Sequence, residues 1–239
     1  AGYATAPGTN TGGKITSVKT RVLGTGTWLT STTYYDDLGR VIQVASDNLL
    51  GYKSRVDMSY DFSGNVLKTR EAHGYSATGS DVLATANTYD RRGRLLTSSG
   101  VLNGGTPALV QHEYDAVGRL KTNKYKTGST FLPETMTYNV RGWLTSKTST
   151  PFTMTLRYET TALGASGKKY YNGDIGEWEW KNGTTAPVMY ALSYDGLNRL
   201  SGSVHYQGGT AWTALAGNNA YEEKGLTYDR NGNILTLNR

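Results

Sequence analysis

The residue types able to do chemistry are few in this chain of 239 residues, and they stand apart from one another. There are three histidines, His73, His112 and His205, and no cysteine, so disulfides, thiolate metal sites and a cysteine nucleophile are excluded. His112 precedes Tyr114 by two residues, a place held by Met58, Met136, Leu192 and Leu226 before other tyrosines, which marks it as a half-buried strand residue and not a base. GTNTGGKI from Gly8 has the spacing of a phosphate loop, but Ile15 stands where Ser or Thr would hold magnesium; it reads as a flexible terminus. GSDV at Gly79 and GASGK at Gly164 set serines beside glycines without a strand-turn-helix elbow, and DRNGN at Asp229 lacks the distal Glu of a calcium loop. No catalytic residue, metal or cofactor is expected. One stretch invites a ligand: in GEWEWKNG from Gly176, strict alternation puts Trp178 and Trp180 on one strand face and Glu177 and Glu179 on the other. Two such indoles can stack on sugar rings, with Trp143 or Trp212 widening the platform; the competing reading packs them into a sheet lining.

The aspartates are more informative, because they recur in one phrase. It reads YDDLGRV at Tyr35, YDFSGNV at Tyr60, YDRRGRL at Tyr89, YDAVGRL at Tyr114, YNVRGWL at Tyr138, YDGLNRL at Tyr194 and YDRNGNI at Tyr228. Successive starts lie 25, 29, 25, 24, 56 and 34 residues apart, so the long interval should hide an eighth copy, sought at YNGDI with Tyr171 and Gly173. An Asp at the first turn position (Asp36, Asp90, Asp115, Asp195, Asp229) and a Gly at the fourth (Gly39, Gly64, Gly93, Gly118, Gly142, Gly232) suit a type I turn whose Gly adopts a left-handed conformation. Asn198 replaces that Gly in one copy, and Asn tolerates positive φ best after glycine. Each phrase is therefore a hairpin tip. Its register should pair Tyr35 with Val41 on one face and Asp36 with Arg40 on the other, and likewise Asp90 with Arg94, Asp115 with Arg119 and Asp195 with Arg199. An aspartate that caps a turn and pairs with Arg is a poor general acid, because its charged form is stabilised.

These tips require strands. Thr-, Val- and Leu-rich segments with rough alternation flank them, Gly- and Ser-rich spacers separate them, and no stretch sustains a helical period. Eight hairpins supply about sixteen strands, and at about 4.8 Å per strand a continuous sheet would be on the order of 75 Å wide and should curl. The 30 glycines and 18 tyrosines fit that all-β class. A formal charge of +6 is dispersed and never forms a basic run, which argues against nucleic acid, and no apolar run reaches membrane-span length.

The phrase closely resembles the YD repeat, Y-D-x-x-G-R-L, of the RHS repeat family, which includes bacterial polymorphic toxins, shell-forming subunits of insecticidal toxin complexes and teneurins. The resemblance runs from about Trp28 to Leu237, giving a lead-in at 1–27, partly flexible, and a repeat domain at 28–239. It implies a curved, spiralling antiparallel sheet that forms part of a hollow shell able to enclose a C-terminal effector. It also implies export to the surface or medium. The family's core segment, self-cleavage aspartate and toxin domain have no counterpart here, so the expected object is an arc of shell from a longer polypeptide. Expected partners are the rest of that polypeptide, another copy through open edges or a concave apolar face, and, on the second reading, glycans.

Overall fold

In a computed structural model, residues 3, 6–9, 11–209, 211–215 and 221–238 are described. They form strands β1 (Ser17–Arg21), β2 (Trp28–Tyr35), β3 (Val41–Asp47), β4 (Lys53–Tyr60), β5 (Val66–Gly74), β6 (Ser80–Tyr89), β7 (Leu95–Leu102), β8 (Ala108–Tyr114) and β9 (Leu120–Thr127). There follow β10 (Thr130–Tyr138), β11 (Leu144–Thr148), β12 (Phe152–Arg157), β13 (Glu177–Asn182), β14 (Val188–Tyr194), β15 (Leu200–Gln207), β16 (Thr213–Ala214), β17 (Lys224–Tyr228) and β18 (Ile234–Asn238). The first sixteen are hydrogen-bonded in chain order in one antiparallel sheet, and β17 and β18 form a second, two-stranded sheet. Among the described residues the one helical element is a single 3₁₀ turn at Gly164–Ser166. The chain divides into two compact units, one of residues 1–113 and 124–131, the other of 114–123 and 132–239.

In the first unit the tips after β2, β4 and β6 place Tyr35 opposite Val41, Tyr60 opposite Val66 and Tyr89 opposite Leu95. In the second, Tyr138 faces Leu144, Tyr194 faces Leu200 and Tyr228 faces Ile234. The register then slips by one residue at every one of these hairpins, leaving Ile42, Leu67, Leu96, Thr145, Ser201 and Leu235 as the extra residue of a bulge. A bulge raises the local twist, so each hairpin is twisted just behind its tip.

The sheet begins earlier than the repeat phrase does: β1 pairs with β2 from Ser17↔Thr32 to Arg21↔Trp28, within the lead-in. Of the flexible terminus expected there, residues 1, 2, 4, 5 and 10 lie outside the described residues, and Thr11–Ile15 are described. Among the described residues the buried apolar side chains are Ile42, Tyr158 and Met189, and buried polar ones include Asp57, Glu177, Ser203 and His205. Cohesion therefore comes from contacts between neighbouring hairpins.

Candidate functional site: the junction between hairpins

Each tip closes in the same way. The Asp36 N–H donates to the Arg40 carbonyl at 2.9 Å, and the Gly39 N–H donates to the Asp36 carbonyl at 2.9 Å. The glycines at Gly39, Gly64, Gly93, Gly118, Gly142 and Gly232 all have positive φ, between 77° and 95°, and Asn198 stands in for them at 58°. One carboxylate oxygen of Asp90 accepts the N–H groups of Arg92 and Arg94 at 2.8 and 2.9 Å, while the other accepts Arg94 Nε at 2.7 Å. Asp36, Asp115 and Asp195 hold Arg40, Arg119 and Arg199 by the same two-point contact. This geometry explains the sequence departures. Asn65 and Asn233 use their side-chain amides to reach Asp61 and Asp229 at 2.8 and 2.7 Å, replacing the guanidinium. Asn139 serves as the acceptor for Arg141 and Trp143 N–H, which needs a carbonyl oxygen but no charge.

The conserved geometry extends beyond the tip, to the next hairpin. Tyr60 donates its hydroxyl to the carbonyl of Val41 at 2.6 Å, Tyr89 to Val66 at 2.8 Å, Tyr138 to Leu120 at 2.7 Å and Tyr228 to Leu200 at 2.5 Å. The acceptor is always the aliphatic residue that closes the preceding tip. The preceding Arg completes the junction. Arg40 lies over the Tyr60 ring at 4.9 Å, Arg119 over Tyr138 at 4.7 Å and Arg199 over Tyr228 at 4.5 Å, and Arg40 also donates to the Asp61 carbonyl at 2.8 Å. So the ion pairs do not stay on the face opposite the tyrosines, as register alone implies: each guanidinium reaches across to the neighbouring ring.

Two junctions correct the sequence reading. The eighth ring is Tyr158, not Tyr171. Tyr158 is buried and donates to the Leu144 carbonyl at 3.0 Å, while Trp143, in the Arg position, packs on it at 5.1 Å. Tyr171 lies outside any strand and is mostly exposed; Gly173 beside it has positive φ and approaches Trp143. The aliphatic partner arrives only at Ile175, whose carbonyl accepts the Tyr194 hydroxyl at 3.0 Å. The second correction concerns GTNTGGKI. Gly13 has φ 72°, Lys14 lies over the Tyr35 ring at 5.2 Å and the Ile15 carbonyl accepts the Tyr35 hydroxyl at 2.8 Å. Gly13, Lys14 and Ile15 thus occupy the Gly, Arg and aliphatic places of a tip.

The long connection between Tyr158 and Gly176 is fastened by Glu177, a group that alternation marked only as facing away from the tryptophans. Its side chain is fully buried. It accepts the Thr161 hydroxyl, the Ala162 N–H at 2.8 Å and Arg157 Nη1 at 3.4 Å.

The tryptophans belong to a wider aromatic row. Trp178 faces Tyr190, which faces His205, across β13, β14 and β15. Trp178 and Trp180 lie 4.9 Å apart, Trp180 and Tyr190 stack at 5.5 Å, and Tyr190 and His205 lie 5.1 Å apart. Trp143 is committed to its junction, and Trp212 lies against Gly208. The three histidines are not brought together: His73 is bonded to Ser54 on the β4–β5 pair, His112 is half-buried on β8, and His205 is in the aromatic row.

The electrostatics follow the hydrogen bonds. The Arg94 backbone N–H, then the Arg94 guanidinium, hold Asp90 below the ordinary carboxylate range, and Arg199 does the same for Asp195. Burial pulls Asp36 and Asp115 upward, but their arginines outweigh it and the net shift is again downward. Burial raises Tyr158 and Tyr194, which keeps their hydroxyls protonated as donors. For a carboxylate with a depressed folded value, the stabilisation is complete above the unfolded value of about 3.9 and is lost as pH falls through the folded one. The urea midpoint should therefore hold from neutral pH to about pH 4 and drop below it. A variant with Asp90→Asn and Asp195→Asn should show a shallower drop; an unchanged acid limb would count against this assignment.

No protein-family model matches the chain, and no curated protein matches it. Among solved structures, the crystal structure of TcdB2-TccC3-TEV is similar over 92% of this chain and 13% of that one, with 13% identity and a TM-score of 0.56. The crystal structures of TcdB2-TccC3-Cdc42 and of TcdB2-TccC3 without its hypervariable C-terminal region align at TM-scores of 0.38 and 0.39, with 13% and 12% identity. They are matched over 88% and 92% of this chain and 10% and 16% of theirs. The likeness to the first is one of fold, and this chain spans about an eighth of its length.

Proposed function

We propose that the chain is a non-catalytic segment of an RHS-type β-shell, part of a larger exported polypeptide that encloses or displays another domain. The observation that carries this reading is the junction: a Tyr hydroxyl on the previous aliphatic carbonyl at seven hairpins, with a cation or indole over the ring at five of them, those of Tyr35, Tyr60, Tyr138, Tyr158 and Tyr228. Such a device extends a sheet without limit and needs no second layer to bury against. The tip carboxylates are committed to turn N–H groups and arginines, which suits scaffolding and disfavours proton transfer. The match to a small part of a much longer chain supports a role as one stretch of a larger wall. Electron microscopy of the secreted parent polypeptide should show hollow particles; solid globules or open ribbons would overturn the proposal.

The aromatic row favours a second reading, a carbohydrate-binding surface. On that reading a glycan array gives specific binding that Trp178→Ala abolishes with an unchanged circular dichroism spectrum. On the first reading the array is blank.

A further inference from the structure

We propose that the first unit binds an acidic, extended polypeptide segment along one face of its sheet. The cations are dispersed in the sequence, but strand alternation gathers them. Lys19 and Arg21 on β1, Lys53 and Arg55 on β4, and Lys68 and Arg70 on β5 each stand two residues apart, so each pair shares a face. The three pairs share the same face. Lys53 bonds Asp47 and Gln43 bonds Asp57 at 2.7 Å, joining β3 to β4, and Arg70 faces Asp57 across β4 and β5. Lys19 faces Thr30, and Thr32 two residues on faces Ala45, which shares its side of β3 with Asp47. Strands β1 to β6 hold no other Lys or Arg, and Glu71 and Asp81 point to the opposite face, so six cations stand against two carboxylates.

The cations form a row with a definite step. Asp57 and Ser59 lie opposite Arg70 and Lys68, so Lys53, Arg55, Arg70 and Lys68 succeed one another at two-residue steps, each about 6.8 Å at about 3.4 Å per residue. An extended chain with an acidic residue at every second position has the same step, and strands packed face to face stay within about 30° of one another. Four carboxylates can therefore engage at once. The side chains are available: those of Lys53, Arg55 and Arg70 are 80%, 52% and 42% exposed, and Lys19 and Lys68 make no ion pair among the described residues. Asp47 and Asp57 lie among the cations, which disfavours a polymer charged on every unit, such as nucleic acid, and suits one with neutral residues between its charges. A polypeptide already touches this face, since Tyr3 donates its hydroxyl to the Thr69 carbonyl at 2.9 Å, where Asp57 and Arg70 both act on it. The site lies within one unit, apart from the aromatic row, and the inference is independent of the shell role.

Fluorescence anisotropy tests it with a labelled peptide of about eight residues, Glu at alternate positions and Thr between, titrated with about 1 to 100 μM of the chain. Binding should saturate in that range and weaken about fivefold between about 0.05 and 0.3 M salt. Lys53→Glu with Lys68→Glu should weaken it about tenfold with unchanged circular dichroism. Arg91→Glu with Arg92→Glu, the same change of charge at an exposed tip, should leave it within about twofold of wild type, because exposed charges beyond a Debye length are screened. Should glutamate disturb the fold, Lys53→Gln with Lys68→Gln should still weaken binding about threefold. The same peptide residues in block order, a single-stranded oligothymidylate and heparin should each bind more weakly than the alternating peptide. No binding by the wild-type chain, an equal loss in the face and tip variants, or equal or tighter binding of any of those three probes would overturn the proposal, the oligothymidylate or heparin result by assigning the face to a polyanion of another class.

Discussion

Glu177→Ala should be among the most damaging single substitutions, destabilising the second unit by about 3 kcal/mol, since two or more donors lose a fully buried acceptor at about 1–3 kcal/mol each. The carboxylate is fully buried and satisfies Thr161, the Ala162 N–H and Arg157 together. Removing it takes the acceptor from the Thr161 hydroxyl and the Ala162 N–H, while Arg157 keeps Glu179 at 2.5 Å, and it loosens the hold of the Tyr158–Gly176 connection on the sheet. Glu177→Gln keeps the acceptor and should lose less. Urea denaturation gives the magnitude, and trypsin, which should cut at the exposed Lys168 and Lys169 faster in the alanine variant, shows where the loss falls. A wild-type cleavage rate in that variant would contradict the assigned role.

The second large effect is expected at Tyr60. Tyr60→Ala removes a ring that faces Val66, lies under Arg40 and bonds the Val41 carbonyl, and should cost about 3 kcal/mol, as for a large aromatic truncation. Tyr60→Phe removes only the hydroxyl and should cost about 1 kcal/mol, the ordinary net value of one hydrogen bond. Arg40→Ala and Tyr60→Ala should be non-additive, with a coupling of about 0.5–1 kcal/mol from the cation over the ring. A Tyr60→Phe variant as stable as wild type, with an additive cycle, would show that the hairpins are held by strand pairing alone.

Much of the fold could be read from the phrase because a tight turn places local demands on residue type. Positive φ at the fourth position admits Gly or Asn, and Asn198 at φ 58° shows the demand met by the permitted substitute. The junctions were harder, since a hydroxyl donating to a carbonyl places no demand on the accepting residue beyond its location. The eighth unit was misplaced for a related reason: its Tyr158 and Ile175 are separated by the inserted connection, so the contiguous phrase no longer exists and YNGDI offered a false match. Lys14 and Ile15 escaped because their half-phrase lacks a tyrosine of its own. A left-handed Gly in a three-residue loop implies a bulge, but not its place, since Ile42, Leu96, Thr145 and Ser201 share no property that the extra position requires. Glu177 was placed on the correct face by alternation, but its burial depends on a loop whose path no local rule specifies.

Because a hairpin receives from its predecessor the same two groups, a carbonyl and a guanidinium, that it hands to its successor, copying one hairpin in the gene recreates both seams at once. Length is then free to drift by unequal recombination, with no compensating change elsewhere. Relatives of this chain should accordingly differ by whole hairpins, and deletions of half a hairpin should be rare among them.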